Sequence, residues 1–176
     1  KKIFNSFLYQ NSKFNRNEIV NSIFIHTLNS AIFLSSMEII DEINTSQTYI
    51  EQTEQMSVFT LTVDNSCFLN CVSKDPAHLD GGAIHVVISF YTIEITNTIF
   101  SKCSTAGNGG SIYSIGQVTS VDSTIFNDCK SDECGSAIHF KNNGYAKSTF
   151  TQVLFINNVA GKCLVVDIDI EINECS

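Results

Sequence analysis

The stretch D-G-G-A-I-H-V-V, Asp80 to Val87, sets two glycines and a small residue directly before an apolar run. A double glycine standing alone marks a turn and little else. Here the shape recurs. G-G-S-I-Y-S-I begins at Gly109, G-S-A-I-H-F-K at Gly135 and N-S-A-I-F-L-S at Asn29. Glycine reaches positive φ without steric cost, and asparagine does so almost as readily. A bend followed by a large aliphatic, repeated along the chain, asks for an internal period before anything else.

The aliphatic after each bend supplies that period. Ile84, Ile112 and Ile138 lie 28 and 26 residues apart. Similar steps reach Val58, Ile32 and Leu8 upstream and Leu164 downstream, so the seven anchors are spaced 24, 26, 26, 28, 26 and 26. A second column runs through N-S-I-F-I-H-T, N-S-C-F-L-N-C, N-T-I-F-S-K-C, S-T-I-F-N-D-C and Q-V-L-F-I-N-N. It places Phe24, Phe68, Phe100, Phe126 and Phe155 in register, with Ile40 expected to fill the gap between Phe24 and Phe68. Five residues before these phenylalanines stand Ile19, Val63, Ile95, Val121 and Phe150. Three residues after them stand Thr27, Cys71, Cys103, Cys129 and Asn158.

Within each unit the apolar residues alternate by two, as in T-I-E-I-T-N and L-V-V-D-I-D-I-E-I. That is the period of a strand and not of a helix. A unit of about 26 residues holds about three short strands, and stacked units pair each strand in parallel with its copy. The predicted fold is all-β: a right-handed single-stranded parallel β-helix of about seven coils, its hand following the rule for parallel crossovers. The pattern of leucine-rich repeats is absent. Residues 1–176 read as one such domain, a segment of a longer chain, with a following module expected to begin near 171–176. Unit length varies between each phenylalanine and the next anchor, which marks the loop side. Its longest member is expected within Glu42–Ser57, as a short helix or an exposed insertion.

Composition narrows the partners. The net charge is −8 and Arg16 is the only arginine. Nucleic acid needs clustered cations, so it is excluded, and an anionic membrane surface is excluded for the same reason. No apolar run approaches the ~20 residues of a membrane-spanning helix. The opening K-K-I-F carries no signal-peptide core, as expected of a mature or internal piece. Seven cysteines point to an oxidising compartment. Asn44, in N-T-S, is a glycosylation candidate that suits an extracellular or cell-surface location.

The repeats resemble those of the chlamydial polymorphic membrane proteins, whose signature is Gly-Gly-Ala-Ile with Phe-x-x-Asn. G-G-A-I (Gly81–Ile84), G-G-S-I (Gly109–Ile112), G-S-A-I (Gly135–Ile138) and F-I-N-N (Phe155–Asn158) carry the resemblance. It covers most of 57–165 and, more loosely, 7–56. It implies a right-handed parallel β-helix used in adhesion and surface display; the expected role is a non-enzymatic structural segment, in adhesion or in a surface filament. The chain departs from the family where F-L-N-C, F-S-K-C and F-N-D-C carry cysteine in place of asparagine.

The alternative function is a carbohydrate-active β-helix enzyme, a lyase or a glycoside hydrolase, which needs paired carboxylates on one face. Asp80, Asp128 and Asp132 are the nearest candidates, but Asp75, Asp80, Asp128, Asp132 and Glu133 read more simply as solvated loop residues. His85 and His139 lie two coils apart, roughly 9.6 Å at the ladder spacing. That is too far to share one zinc, so neither a metal nor a cofactor is expected. Cys71, Cys103 and Cys129 form one column that fits either a disulfide between neighbouring coils or a reduced, buried stack. If the anchors point inward, Tyr9, Phe33, Phe59, His85, Tyr113, His139 and Val165 point outward as one stripe. Its aromatic members are the candidate binding surface for glycans or a protein partner. Other domains, or copies of the molecule, are expected to stack on the coil ends.

Overall fold

A computed structural model describes residues 8–11, 16–20, 23–25, 32–35, 59–74, 79–87, 91–115, 118–141, 148–159, 164–166 and 170–173. These residues are all-β, without a helix, and their strands pair in parallel across six levels. Level one holds β1 (Leu8–Asn11), β2 (Arg16–Val20) and β3 (Ile23–Ile25). Level two holds β4 (Ile32–Ser35), β5 (Phe59–Asp64), β6 (Cys67–Leu69) and β7 (Val72–Ser73). Level three holds β8 (Ile84–Val87), β9 (Tyr91–Thr96), β10 (Ile99–Ser101) and β11 (Ser104–Thr105). Level four holds β12 (Ile112–Ile115), β13 (Val118–Asp122), β14 (Ile125–Asn127) and β15 (Lys130–Ser131). Level five holds β16 (Ile138–Lys141), β17 (Ser148–Thr151) and β18 (Leu154–Ile156). Level six holds β19 (Leu164–Val166) and β20 (Ile170–Asn173).

Each sheet takes no more than one strand from any level, as a parallel solenoid requires. The first sheet runs β1-β4-β8-β12-β16-β19, and the second β2-β5-β9-β13-β17-β20. The third runs β3-β6-β10-β14-β18, and the short fourth β7-β11-β15, which Val159 extends by a bridge to Lys130.

The turns explain why these residues form these strands. The chain enters the left-handed region at Asn65, Asn97, Ser123 and Gln152, between the second and third sheets, with φ of 44, 48, 47 and 53°. It does so again at Asn70, Lys102, Asp128 and Asn157, after the third sheet, with φ of 52, 55, 53 and 50°. Gly81, Gly109 and Gly135, at φ of 67, 69 and 68°, lead into the first sheet. Only the last column demands glycine. A Cβ on Gly109 would collide with the carbonyl oxygen of Ile112. Gly110, beside it, faces the backbone of the next level, where a Cβ would collide with the carbonyl oxygen of Ser136.

Inward positions stack like on like. Phe68, Phe100 and Phe126 are fully buried, with ring centroids 4.8 and 4.9 Å apart and planes within 6° and 4°. Phe155 continues the stack at 5.3 Å and is only partly covered. Ile84, Ile112 and Ile138 are fully buried on the first sheet, and Val63, Ile95 and Val121 on the second.

Two sequence expectations change. Ile32 pairs directly with Ile84, and Phe24 directly with Phe68. No level therefore lies between them for Val58 or Ile40, which are outside the described residues, and the described levels number six. Residues 36–58 come between β4 and β5, at the junction of the first and second sheets. The stretch is close to one repeat in length, so counting by 26 crossed it without a break. The Glu42–Ser57 expectation, Asn44 included, also lies outside the described residues.

Phe100→Ala is expected to cost roughly 3 to 5 kcal/mol, because it empties the middle of the ring stack. Urea unfolding would measure this, and a midpoint unchanged from wild type would exclude it. Gly110→Ala adds one methyl but forces backbone apart between levels. It should lower the midpoint too, whereas Ala106→Gly at an exposed turn position should change it little.

Candidate functional site

The register of the first sheet aligns Tyr9, Phe33, His85, Tyr113, His139 and Val165 in one column. Phe59 is not among them. It begins β5 of the second sheet and pairs with Tyr91, because the anchor assigned to Val58 does not exist as a level of the first sheet. The side chains of Tyr9, Phe33 and Phe59 lie outside the described residues.

The described part of the stripe is a three-ring stack. His85 and Tyr113 have centroids 5.3 Å apart at 40°, and Tyr113 and His139 5.4 Å apart at 61°. His85 departs from expectation: it is 4% exposed, and its Nδ1 lies 2.9 Å from the carbonyl oxygen of Asp80. This local bond, five residues back, folds the imidazole against the bend that precedes its own strand. Tyr113 and His139 remain half-buried and reachable. The Tyr113 ring sits between the two histidines, and among the described residues no three His, Cys, Asp or Glu side chains are grouped to hold a metal ion.

The loop-side carboxylates do not form an open pair. The Asp80 Oδ1 atom accepts from the backbone N–H of Asn108 at 2.6 Å and from its Nδ2 at 3.2 Å. Asn108 Nδ2 also donates to Glu133 Oε2 at 2.9 Å, and Asn108 Oδ1 accepts from the N–H of Cys134 at 3.3 Å. One asparagine thus braces three consecutive levels. Asp132 pairs with Lys130 at 3.1 Å on the open surface, and Asp128 accepts from Asn127 Nδ2 at 3.2 Å. On the second sheet, Thr96 Oγ1 donates to Asp64 Oδ1 at 2.6 Å and Asn97 Nδ2 at 3.2 Å. These two donors hold the Asp64 carboxyl below the usual carboxylate range. Asp75 falls outside the described residues.

The cysteine column is a stack of reduced thiols, fully buried at Cys71, Cys103 and Cys129. No disulfide joins the described cysteines, so of the two arrangements that fit the column the reduced one is seen. Its geometry explains the alternation of cysteine with asparagine. Cys103 Sγ lies 3.6 Å from the carbonyl oxygen of Phe68, and Cys129 Sγ 3.7 Å from that of Phe100. One level on, Asn158 Nδ2 donates to the carbonyl oxygen of Phe126 at 3.0 Å. Thiol and amide therefore serve the same carbonyl, one level apart. Ser111 Oγ closes the site with a 2.9 Å contact to Cys129 Sγ. Sequence reasoning noted this column but missed what it bonds, because the partner lies in the preceding level.

Comparison of the chain with protein-family models, with curated proteins and with solved structures finds no match to any of the three.

Burial pushes the Cys103 thiol well above its ordinary range, and its hydrogen bonds with Cys129 and Cys71 push it the same way. A thiol ionises near ~8.5 in an unfolded chain. Its folded value is the higher one, so its contribution to stability is complete below that pH and is lost as pH rises beyond it. Urea midpoints should therefore fall between pH about 7.5 and about 10 more steeply for wild type than for Cys103→Ala. Equal slopes would mean that Cys103 is not the group responsible.

Proposed function

We propose that the chain is a right-handed parallel β-helix segment of an extracellular or cell-surface protein, structural and adhesive in role and not catalytic. The observation that carries this reading is the Asp80–Asn108–Glu133 brace. Asp80, the candidate carboxylate that is not exposed, and Glu133 are both tied to Asn108 on the level between them. A lyase or hydrolase needs its carboxylates free to meet a substrate. Side chains committed to neighbouring levels make a rigid rod instead. The motif resemblance at Gly81–Ile84 and Gly109–Ile112 points the same way, toward surface display. The right hand follows the rule for parallel crossovers.

Adhesion is assigned to the reachable rings of the first sheet, Tyr113 and His139, which offer faces for stacking on a sugar or a partner side chain. Any terminal level of such a stack presents unpaired N–H and C=O groups, which suits coverage by another domain or another copy. Among the described residues no helix is long and apolar enough to cross a membrane.

The test is incubation with neutral and acidic polysaccharides, read for both binding and products. Retention without new reducing ends or unsaturated uronides is expected. Turnover of any of them would replace this reading with the enzymatic one. Combining Tyr113→Ser with His139→Ser should weaken retention by roughly two- to tenfold, the scale of aromatic contacts, while far-ultraviolet circular dichroism stays unchanged. Undiminished retention would move the binding surface elsewhere.

A further inference from the structure

The outward side of the third sheet carries an aliphatic column that neither the anchors nor the aromatic stripe includes. Cys67, Ile99, Ile125 and Leu154 stand in register on β6, β10, β14 and β18, alternating with the buried phenylalanines. Ile99 is 41% exposed, although it is a large aliphatic on a strand paired on both sides. The other three are half-buried, as neighbours in a ladder shield one another. Single exposed aliphatics need no account, but a contiguous registered column does.

The pattern around this column is a palindrome about the line between β10 and β14. Two positions along each strand from the aliphatic come Leu69, Ser101, Asn127 and Ile156: apolar, polar, polar, apolar. In the turn that follows come Asn70, Lys102, Asp128 and Asn157: amide, cation, anion, amide. Lys102 and Asp128 share the same left-handed backbone, at φ of 55 and 53°, so their side chains leave the turn in the same direction. Both are exposed. The hydrogen bond from Asn127 holds the Asp128 carboxylate beside the outward face.

We propose that this face binds a second copy of the chain, with the two-fold axis along the strands between β10 and β14 and the two solenoids antiparallel. A two-fold interface sets the same patch against itself. This axis lays β10 against β14 of the second copy and β6 against β18. Ile99 then meets Ile125, Cys67 meets Leu154 and Leu69 meets Ile156, apolar on apolar. Ser101 meets Asn127, polar on polar. Lys102 meets Asp128 twice, once on each side of the axis, which is the charge complementarity that selects a copy of this chain over another partner. An axis parallel to the solenoid would instead set each level against its own equivalent and would form neither charge pair. Four strands and their turns offer on the order of 300 Å² on each copy. A standard interface takes about 800 Å² on each side, so the association is weak and appears only at high concentration. The pairing does not depend on the adhesive reading.

Sedimentation equilibrium of the full chain under reducing conditions, up to about 1 mM, tests this in the range that a small interface implies. Dimer is expected at the upper end. Ile99→Lys should raise the dissociation constant by about tenfold or more. Lys102→Asp should also weaken pairing, by setting carboxylate against carboxylate. Combining Lys102→Asp with Asp128→Lys should restore the wild-type constant to within about twofold, because the swap reproduces both pairs. A wild type that stays monomeric throughout overturns the proposal. So does a double variant no better than the single one, which rules out the antiparallel axis. Circular dichroism of Ile99→Lys provides the remaining arm. If that variant loses its strand signal, the column is covered within its own chain, and the face is not a docking surface.

Discussion

The backbone hydrogen bond between one level and the next governs this molecule. It fixes strand spacing at ~4.8 Å and leaves no freedom to slide, since a one-residue slip would turn each inward side chain outward. Stacking of like on like follows from it. Phe68, Phe100 and Phe126 lie almost parallel at 4.8 and 4.9 Å because the backbone delivers them at that spacing. Even the turns obey it. Asn97 donates its backbone N–H to Asp122 at 3.2 Å, and Lys102 to Asn127 at 2.9 Å, so the left-handed residues are bonded from level to level as the strands are. A bend whose amides were left open would have ended the stack.

The same spacing explains the thiols. Each level leaves the carbonyl of its core phenylalanine facing the level that follows. An asparagine three residues after the next phenylalanine reaches it, as Asn158 reaches Phe126. A cysteine reaches it with a weaker donor and fits where the surroundings are dry, as Cys103 does against Phe68. The substitution exchanges hydrogen-bond strength for apolar packing without changing the backbone, and three buried thiols in one column result.

The period was legible because it was written in residues with one physical task. Glycine at a crowded positive-φ bend and an aliphatic after it admit few substitutes, and Gly81, Gly109 and Gly135 sit where that task arises. The phenylalanine column was legible for the same reason. The missing level was not. Between Ile32 and Ile84 the chain holds two repeat lengths but one level, and only the pairing of Ile32 with Ile84 distinguishes an insertion from a coil. His85 was misread as exposed because alternation gives a direction and not a coverage, and its bond to the Asp80 carbonyl is a local matter. The aliphatic column of the third sheet went unread because its strands are three residues long. In so short a strand the buried phenylalanine draws attention away from the residues on either side. The Asn108 brace was beyond sequence reasoning altogether, since its three members come from three levels.

A ladder that stacks like on like is hazardous for a chain of net charge −8, since identical charges directly opposite one another destabilise a sheet. The second sheet shows how this is avoided. Along one outward column the register reads Thr62, Glu94, Ser120, Thr149. Along the next it reads Asp64, Thr96, Asp122, Thr151, Asn173. In neither column do two carboxylates occupy adjacent levels. A hydroxyl intervenes and can donate to its acidic neighbour, as Thr96 does to Asp64 at 2.6 Å and Thr62 to Glu94 at 3.4 Å. Strict repetition is thus kept where packing needs it, on the inside, and broken where charge would punish it, on the outside. Lys102 and Asp128 are the other permitted departure. They place opposite charges at adjacent levels, where attraction replaces the repulsion that a repeated residue would bring, and they do so on a face whose remaining positions mirror one another.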